Sequence, residues 1–266
     1  MEPVTVRRGD SPVVLGVPHA GTWLPDEIRS MLNDQGRLLA DTDWHVDRLY
    51  DGLGPDVTVV RANAHRYVID ANRDPSGASL YPGQNSTDLV PQTDFDGRPI
   101  WDLAPDAAEI AARIQRWHAP YHAALRAELE RVRGVHGIAV LYDCHSIRSH
   151  APYLFEGRLP DFNIGTNRGA TCDALFENAV TEICRAEAGF STVVNGRFLG
   201  GWSTRHYGRP SEGWHAIQME LAQSTYLASE KPPFAYHPTK AGRLRPTLAH
   251  ILHRIDAIAR EMGGHP

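Results

Sequence analysis

The sequence predicts an α/β protein, on three observations. Residues 137–146, Gly-Ile-Ala-Val-Leu-Tyr-Asp-Cys-His-Ser, form an apolar run that stops abruptly in a polar cluster. Residues 11–18 repeat the pattern and are followed by His19. Between them, residues 105–132 carry apolar side chains at helical spacing. Apolar runs of this length fit strands buried on both faces of a parallel or mixed sheet. In open α/β sheets the carboxyl ends of such strands are where ligands bind.

Taken in order, residues 11–18 read as a buried strand ending in Pro18-His19-Ala20-Gly21, where Pro18 restricts the loop and Gly21 lets the backbone turn closely around a ligand. Pro25-Asp26-Glu27 opens a short helix, with acids where the helix dipole favours them. Residues 42–53 carry Val46, Leu49 and Leu53 at helical spacing, which places Asp43 and Asp47 on one face. Like charges at that spacing repel by a few tenths of a kcal/mol. The competing assignment has Asp43 serving a helix N-terminus and Asp47 pairing with an arginine. Residues 56–62 form a strand through Val57, Val59 and Val60. Arg73 follows a short apolar run and precedes Pro75, so it projects from a strand end and offers a bidentate fork to a carboxylate. An ion pair with Asp70 or Asp74 is the alternative there.

Residues 76–103, rich in Pro, Gly, Asn and Asp, lack periodicity, and a loop of that length is usually functional or mobile. Residues 105–132 put Ile110, Ile114, Trp117, Tyr121, Leu125 and Leu129 on one stripe, as in a crossover helix with a kink at Pro120. In the strand at 137–146, Asp143 and His145 point one way and Cys144 the other. Residues 163–169 read as a loop, 171–188 as a helix stopped at Gly189, and 192–195 as a short strand. Residues 198–213 read as a loop whose glycines, Arg205, His206, Tyr207 and Arg209 suit a segment covering a ligand. Residues 214–221 are a final strand that buries Glu220, and an ionised carboxylate there costs several kcal/mol unless paired. Residues 246–262 close the chain as a helix ending at Gly263-Gly264.

The 266 residues are enough for one large α/β domain spanning 1–266, with no low-complexity linker to divide it. A net charge of −5 gives no electrostatic case for nucleic acid, so small molecules are the expected partners. Residues 1–8 lack an apolar core of the signal-peptide kind and no run is long enough to span a bilayer, so the expected location is the cytoplasm, without membrane association. Cys144, Cys172 and Cys184 are odd in number and lack metal-ligand spacing, which fits reduced thiols. Fourteen histidines raise the prior for a metal or acid/base site.

Two histidines and an acid from separate elements, with one further carboxylate, make up what a catalytic zinc site requires. His19, Asp43 and His145 can fill the ligand roles and Glu220 that of the general base. Their distant spacing does not by itself establish the set.

Six segments sharpen it: Val17-Pro18-His19-Ala20-Gly21, Asp41-Thr42-Asp43-Trp44-His45-Val46-Asp47-Arg48-Leu49-Tyr50, Ile69-Asp70-Ala71-Asn72-Arg73, Tyr142-Asp143-Cys144-His145-Ser146, Gly200-Gly201 to Arg205-His206-Tyr207-Gly208, and Ile217-Gln218-Met219-Glu220. In that order they resemble the signature of N-formylglutamate amidohydrolases (deformylases), through nearly the whole chain. The resemblance implies a zinc-carboxypeptidase-like α/β/α fold of three layers, with a central mixed, mostly parallel sheet and one catalytic Zn2+. It also implies hydrolysis of N-formyl-L-glutamate to glutamate and formate, the last step of one route of histidine degradation. Related zinc carboxypeptidases use a His-x-x-Glu pair, whereas the residue three after His19 is Thr22. The acidic ligand is therefore carried to Asp43, with Asp47 as the fallback. Asn72-Arg73 matches the Asn-Arg pair with which such enzymes and acylases hold a substrate carboxylate. A second carboxylate calls for a second cation, for which Arg205 and Arg168 are candidates. The competing functions are a zinc amidohydrolase or carboxypeptidase-like hydrolase acting on another N-acyl amino acid, and a non-catalytic binder of acidic metabolites.

Overall fold

The computed structural model describes residues 1–80 and 83–264. In chain order its elements are β1 (Val4–Arg7), β2 (Val13–Val17), α1 (Asp26–Met31), α2 (Asp34–Arg37), α3 (Val46–Tyr50), β3 (Thr58–Ala62), α4 (Ala107–Arg113), α5 (Ala119–His136), β4 (Ala139–Ile147), β5 (Phe162–Gly165), α6 (Ala174–Ala186), β6 (Thr192–Val194), α7 (Trp202–Tyr207), β7 (Trp214–Ala222) and α8 (Pro238–Gly263). The strands join one sheet in the order β1-β3-β2-β4-β7-β5-β6. The β1–β3 and β5–β7 pairs are antiparallel and the other four are parallel, so the sheet is mixed and mostly parallel.

Alternation along the central strands divides the core into two layers. Leu15, Tyr142, Cys144 and Met219 pack with Val46 and Leu49 of α3, Phe176 of α6 and Leu248 of α8. Val14, Leu141 and Ala216 pack on the opposite face against Tyr121, Leu125 and Leu129 of α5. Both faces are therefore covered, as unbroken apolar strands require. Leu125 is fully buried, and truncating it to alanine would cost about 2–5 kcal/mol. No helix among the described residues is long and apolar enough to cross a membrane.

Several local expectations shift. The helix expected over 42–53 contracts to Val46–Tyr50, because His45 takes a left-handed conformation (φ 61) and the residues before it form turns. Asp43 and Asp47 consequently do not share a helix face. Residues 162–165 form a buried strand rather than part of a loop, held by antiparallel pairing to β7. The amide of Asn163 adds hydrogen bonds to the carbonyls of Pro160 and Glu220. The edge strand β1, Val-Thr-Val-Arg, alternates apolar and polar residues over only four positions and is mostly exposed. The loop expected over 198–213 contains α7, which begins directly after Gly201. The last helix starts at Pro238 rather than Pro246, with His237 capping it through Nδ1. The kink expected at Pro120 takes the form of a π turn, Ile114–His118, which absorbs the missing proline donor. Within the loop over 76–103, residues 81 and 82 lie outside the described residues. The described part is pinned where the Phe95 amide donates to both Asp41 carboxylate oxygens, at 3.0 and 3.2 Å.

Candidate active site

Strand β2 has β3 on one side and β4 on the other, so the chain direction around the sheet changes at the β2–β4 seam. A crevice opens at the carboxyl end of such a seam. His19 follows β2 by two residues and His145 lies near the end of β4. Asp43 ties the two strand ends together. Its amide donates to the His19 carbonyl at 3.1 Å, and its Oδ2 accepts from the Ser146 amide at 3.0 Å. All three side chains are buried.

The three residues direct one donor atom each to a common point. His19 Nδ1 and His145 Nδ1 are 3.2 Å apart, and Asp43 Oδ2 lies 3.3 Å from His145 Nδ1 and 3.8 Å from His19 Nδ1. Tetrahedral zinc bonded to nitrogen and oxygen at about 2.0–2.1 Å sets its ligands roughly 3.4 Å apart, so the donor set fits. The far ring nitrogens face carboxylates: His19 Nε2 is 2.7 Å from Asp70 Oδ1, and His145 Nε2 is 3.1 Å from Asp143 Oδ1. That arrangement fixes imidazole orientation at metal sites. Asn72 Nδ2 also lies 2.9 Å from His145 Nε2, while Asn72 Oδ1 accepts from the Ser203 amide at 2.8 Å. Gly201 must lack a side chain here, since a Cβ would collide with the Asn72 amide.

Glu220 pairs in register with His145 across β4 and β7. Burial pushes its carboxyl up to about 8, with His145 opposing that rise and Asp43 adding to it. A cation in the triad would lower it again and favour the ionised carboxylate. Gln218 Nε2 donates to Glu220 Oε2 at 3.2 Å and orients the carboxylate. Burial opposes ionisation of Asp43 as well, but hydrogen bonds from His145 and His19 outweigh it and hold that carboxyl well below the usual range. These groups line an open cleft of about 580 Å³, solvent space included.

A family model described as N-formylglutamate amidohydrolase matches residues 11–227. The chain belongs to that family. An N-formylglutamate deformylase of Pseudomonas aeruginosa is 43% identical over 265 residues, 98% of each chain. One from Pseudomonas putida is 43% identical over 263 residues, 97% of each. The crystal structure of an N-formylglutamate amidohydrolase from Ralstonia eutropha JMP134 superposes with a TM-score of 0.82 at 27% identity, covering 98% of this chain and all of that one. The chain is thus an enzyme, an amidohydrolase.

The amidohydrolase fold brings His19, Asp43, His145, Glu220, Asn72 and Arg73 to one pocket. Arg73 is held by Thr87, whose carbonyl and hydroxyl accept from Nε and Nη2, both at 2.9 Å. The other residues singled out from the sequence do not line it. Asp47 projects from α3 to an ion pair with Arg61 at 2.6 Å. Arg168 sits in an exposed turn, and Arg205 on α7 donates to the carbonyls of Gly200 and Leu80. Tyr207 is buried beside α5, its hydroxyl 3.0 Å from His122 Nδ1. The segment that reads as an open loop is a helix, and its packing turns Tyr207 inward.

Arg66 was not expected in the site. Its guanidinium lies against the His19 ring, with Nη2 touching Nδ1 and lying 2.8 Å from Nε2. Burial disfavours its charge, but Asp70 and Asp43, at 3.5 and 3.9 Å, more than offset that and hold it ionised. Its one sequence cue is a cation just before the apolar run that leads to Asp70.

Proposed function

We propose that this amidohydrolase hydrolyses N-formyl-L-glutamate to L-glutamate and formate, with one Zn2+ held by His19, Asp43 and His145 and with Glu220 as general base and acid. The observation that carries the reading is Glu220 standing in register with His145, beside three donor atoms spaced for one metal. The names of the Pseudomonas relatives support the substrate. Zinc bound there supplies Lewis acidity, lowering the pKa of a water towards neutrality and polarising a carbonyl.

Glu220 accepts the proton of the attacking water and returns it to the glutamate nitrogen as the C–N bond breaks and formate leaves. A carboxylate whose pKa lies near the working pH serves both directions of transfer. Arg66, charged and buried in the pocket wall, faces the negative charge that develops on the formyl oxygen. Asp70 and Asp143 hold the two imidazoles in orientation. Arg73, its guanidinium plane fixed by Thr87, receives a substrate carboxylate.

The test compares kcat/KM for the formyl and acetyl forms of Glu, Gln and Asp. N-formyl-L-glutamate is expected to be the best of the six. Faster cleavage of the acetyl forms would favour an acylase acting on other N-acyl amino acids.

A further inference from the structure

Residues 70–73 carry three side chains of the candidate site yet belong to no helix or strand. Asp70 faces His19, while Asn72 and Arg73 line the cleft together with Arg66 and Arg197. Such a segment keeps its shape only if its peptide groups find partners outside it. Two of its carbonyls are met by histidines of the neighbouring helix: His122 Nε2 donates to the Ala71 carbonyl at 2.8 Å and His118 Nε2 to the Arg73 carbonyl at 3.0 Å. We propose that His118 and His122 are positioning residues for the reaction, acting through these two carbonyls to fix the Arg73 guanidinium where it receives the substrate carboxylate. This rests on the role given to Arg73 in the proposed deformylase reading.

Every carbonyl of residues 70–73 has a partner. That of Asp70 accepts from the Arg73 amide and that of Asn72 from Arg73 Nη1, both at 3.2 Å, and the histidines take the other two. His118 closes the π turn and His122 follows four residues on in α5, so their rings share a face, with centroids 4.4 Å apart. Burial lowers the pKa of both rings, that of His122 to about 3, so both are neutral near pH 7. A carbonyl only accepts, so the single proton of each neutral ring sits on Nε2. On His122 this leaves Nδ1 as an acceptor, and the Tyr207 hydroxyl faces it at 3.0 Å. Trp202 of α7 packs against both rings, with centroids 5.6 Å from His118 and 4.6 Å from His122. The next residue of α7, Ser203, donates its amide to Asn72 Oδ1 at 2.8 Å. The segment is therefore held from α5 and α7 together, and both Nε2 atoms are committed to protein acceptors rather than to a ligand.

The experiment uses the metal-loaded enzyme. His118→Phe and His122→Phe keep the ring packing and remove the donors. Each is expected to raise KM for N-formyl-L-glutamate about 10-fold while changing kcat less, as loss of a binding contact does. His118→Gln, whose amide N–H reaches as far as Nε2, is expected to restore most of the loss. His118→Asn, whose amide falls short of the carbonyl, is expected to behave like the phenylalanine variant and covers the case in which that variant fails to fold. In an Arg73→Ala background the same substitutions are expected to have little further effect, because they act through that guanidinium. Additive losses in this cycle would make the histidines merely structural and overturn the proposal. Hydrogen–deuterium exchange without any ligand is expected to speed up in peptides spanning residues 70–73 and to stay unchanged in β4 and β7. Unchanged exchange over 70–73 would equally overturn it. An enzyme that does not cleave N-formyl-L-glutamate refutes the deformylase reading, while the exchange over 70–73 still decides whether the histidines hold the segment.

Discussion

His145 and Glu220 stand opposite one another on β4 and β7, on the sheet face away from α3, α6 and α8. Their neighbours Cys144, Met219 and Leu221 fill the other face with apolar packing. One register thus sets an imidazole of the proposed metal triad beside a buried carboxylate, at the carboxyl edge where the pocket opens. Glu220→Gln keeps the shape and removes the proposed base. The variant should fold, retain metal and lose at least about 10²-fold in turnover. Retention of most activity would make the carboxylate structural.

The ligand set is tested by elemental analysis. His19→Ala and His145→Ala should each lose bound metal, because two remaining protein ligands hold it poorly. Asp43→Asn should weaken binding, whereas Asp47→Asn should not, since Asp47 pairs with Arg61 away from the triad. Full metal occupancy in Asp43→Asn would remove that residue from the set.

Asp70 makes no contact with the metal position but accepts from His19 Nε2 at 2.7 Å. Asp70→Asn keeps the shape and removes the charge that orients the imidazole. Metal affinity should fall about 10- to 100-fold, as is typical for such supporting groups. A competition titration with a chelator reads this directly, and an unchanged affinity would assign Asp70 to Arg66 alone.

Asp161 gives a prediction independent of catalysis. Its carboxylate accepts from the Ser191 amide and hydroxyl at 2.9 and 2.8 Å and from Arg158 at 2.8 Å. Burial opposes its ionisation, yet these hydrogen bonds win and hold its carboxyl below the ordinary value. A depressed folded-state pKa stabilises the protein above the unfolded value of about 4, and the benefit is lost as pH falls through the folded value. The Tm gap between wild type and Asp161→Asn should be widest near neutral pH and should shrink below about pH 4. A gap that widens on acidification would contradict this sign.

The strands that form the site were legible because they are buried on both faces. The runs ending at His19 and His145, and the one enclosing Glu220, carry enough apolar residues to be read without any partner. Asp43 and Arg73 stand out by residue type, and the resemblance sets them with Asn72 in the same site. What sequence could not supply was set by tertiary contact. The left-handed His45 shortens α3 and separates Asp43 from Asp47, which a helical reading places together. The helix α7 hides in a glycine-rich segment, and its packing sends Tyr207 into the core while Thr204 Oγ1 donates to Asp143 at 3.0 Å. Arg66 and Arg197 reach the pocket from segments with no periodic pattern, so a lone arginine there reads as surface.

The most direct measurement of the central claim follows formate release from N-formyl-L-glutamate while bound metal is counted. The chelated enzyme should be inactive, and activity should return in proportion to zinc up to one ion per chain. Full formate release from a metal-free enzyme, or none from a zinc-loaded one, would contradict the account.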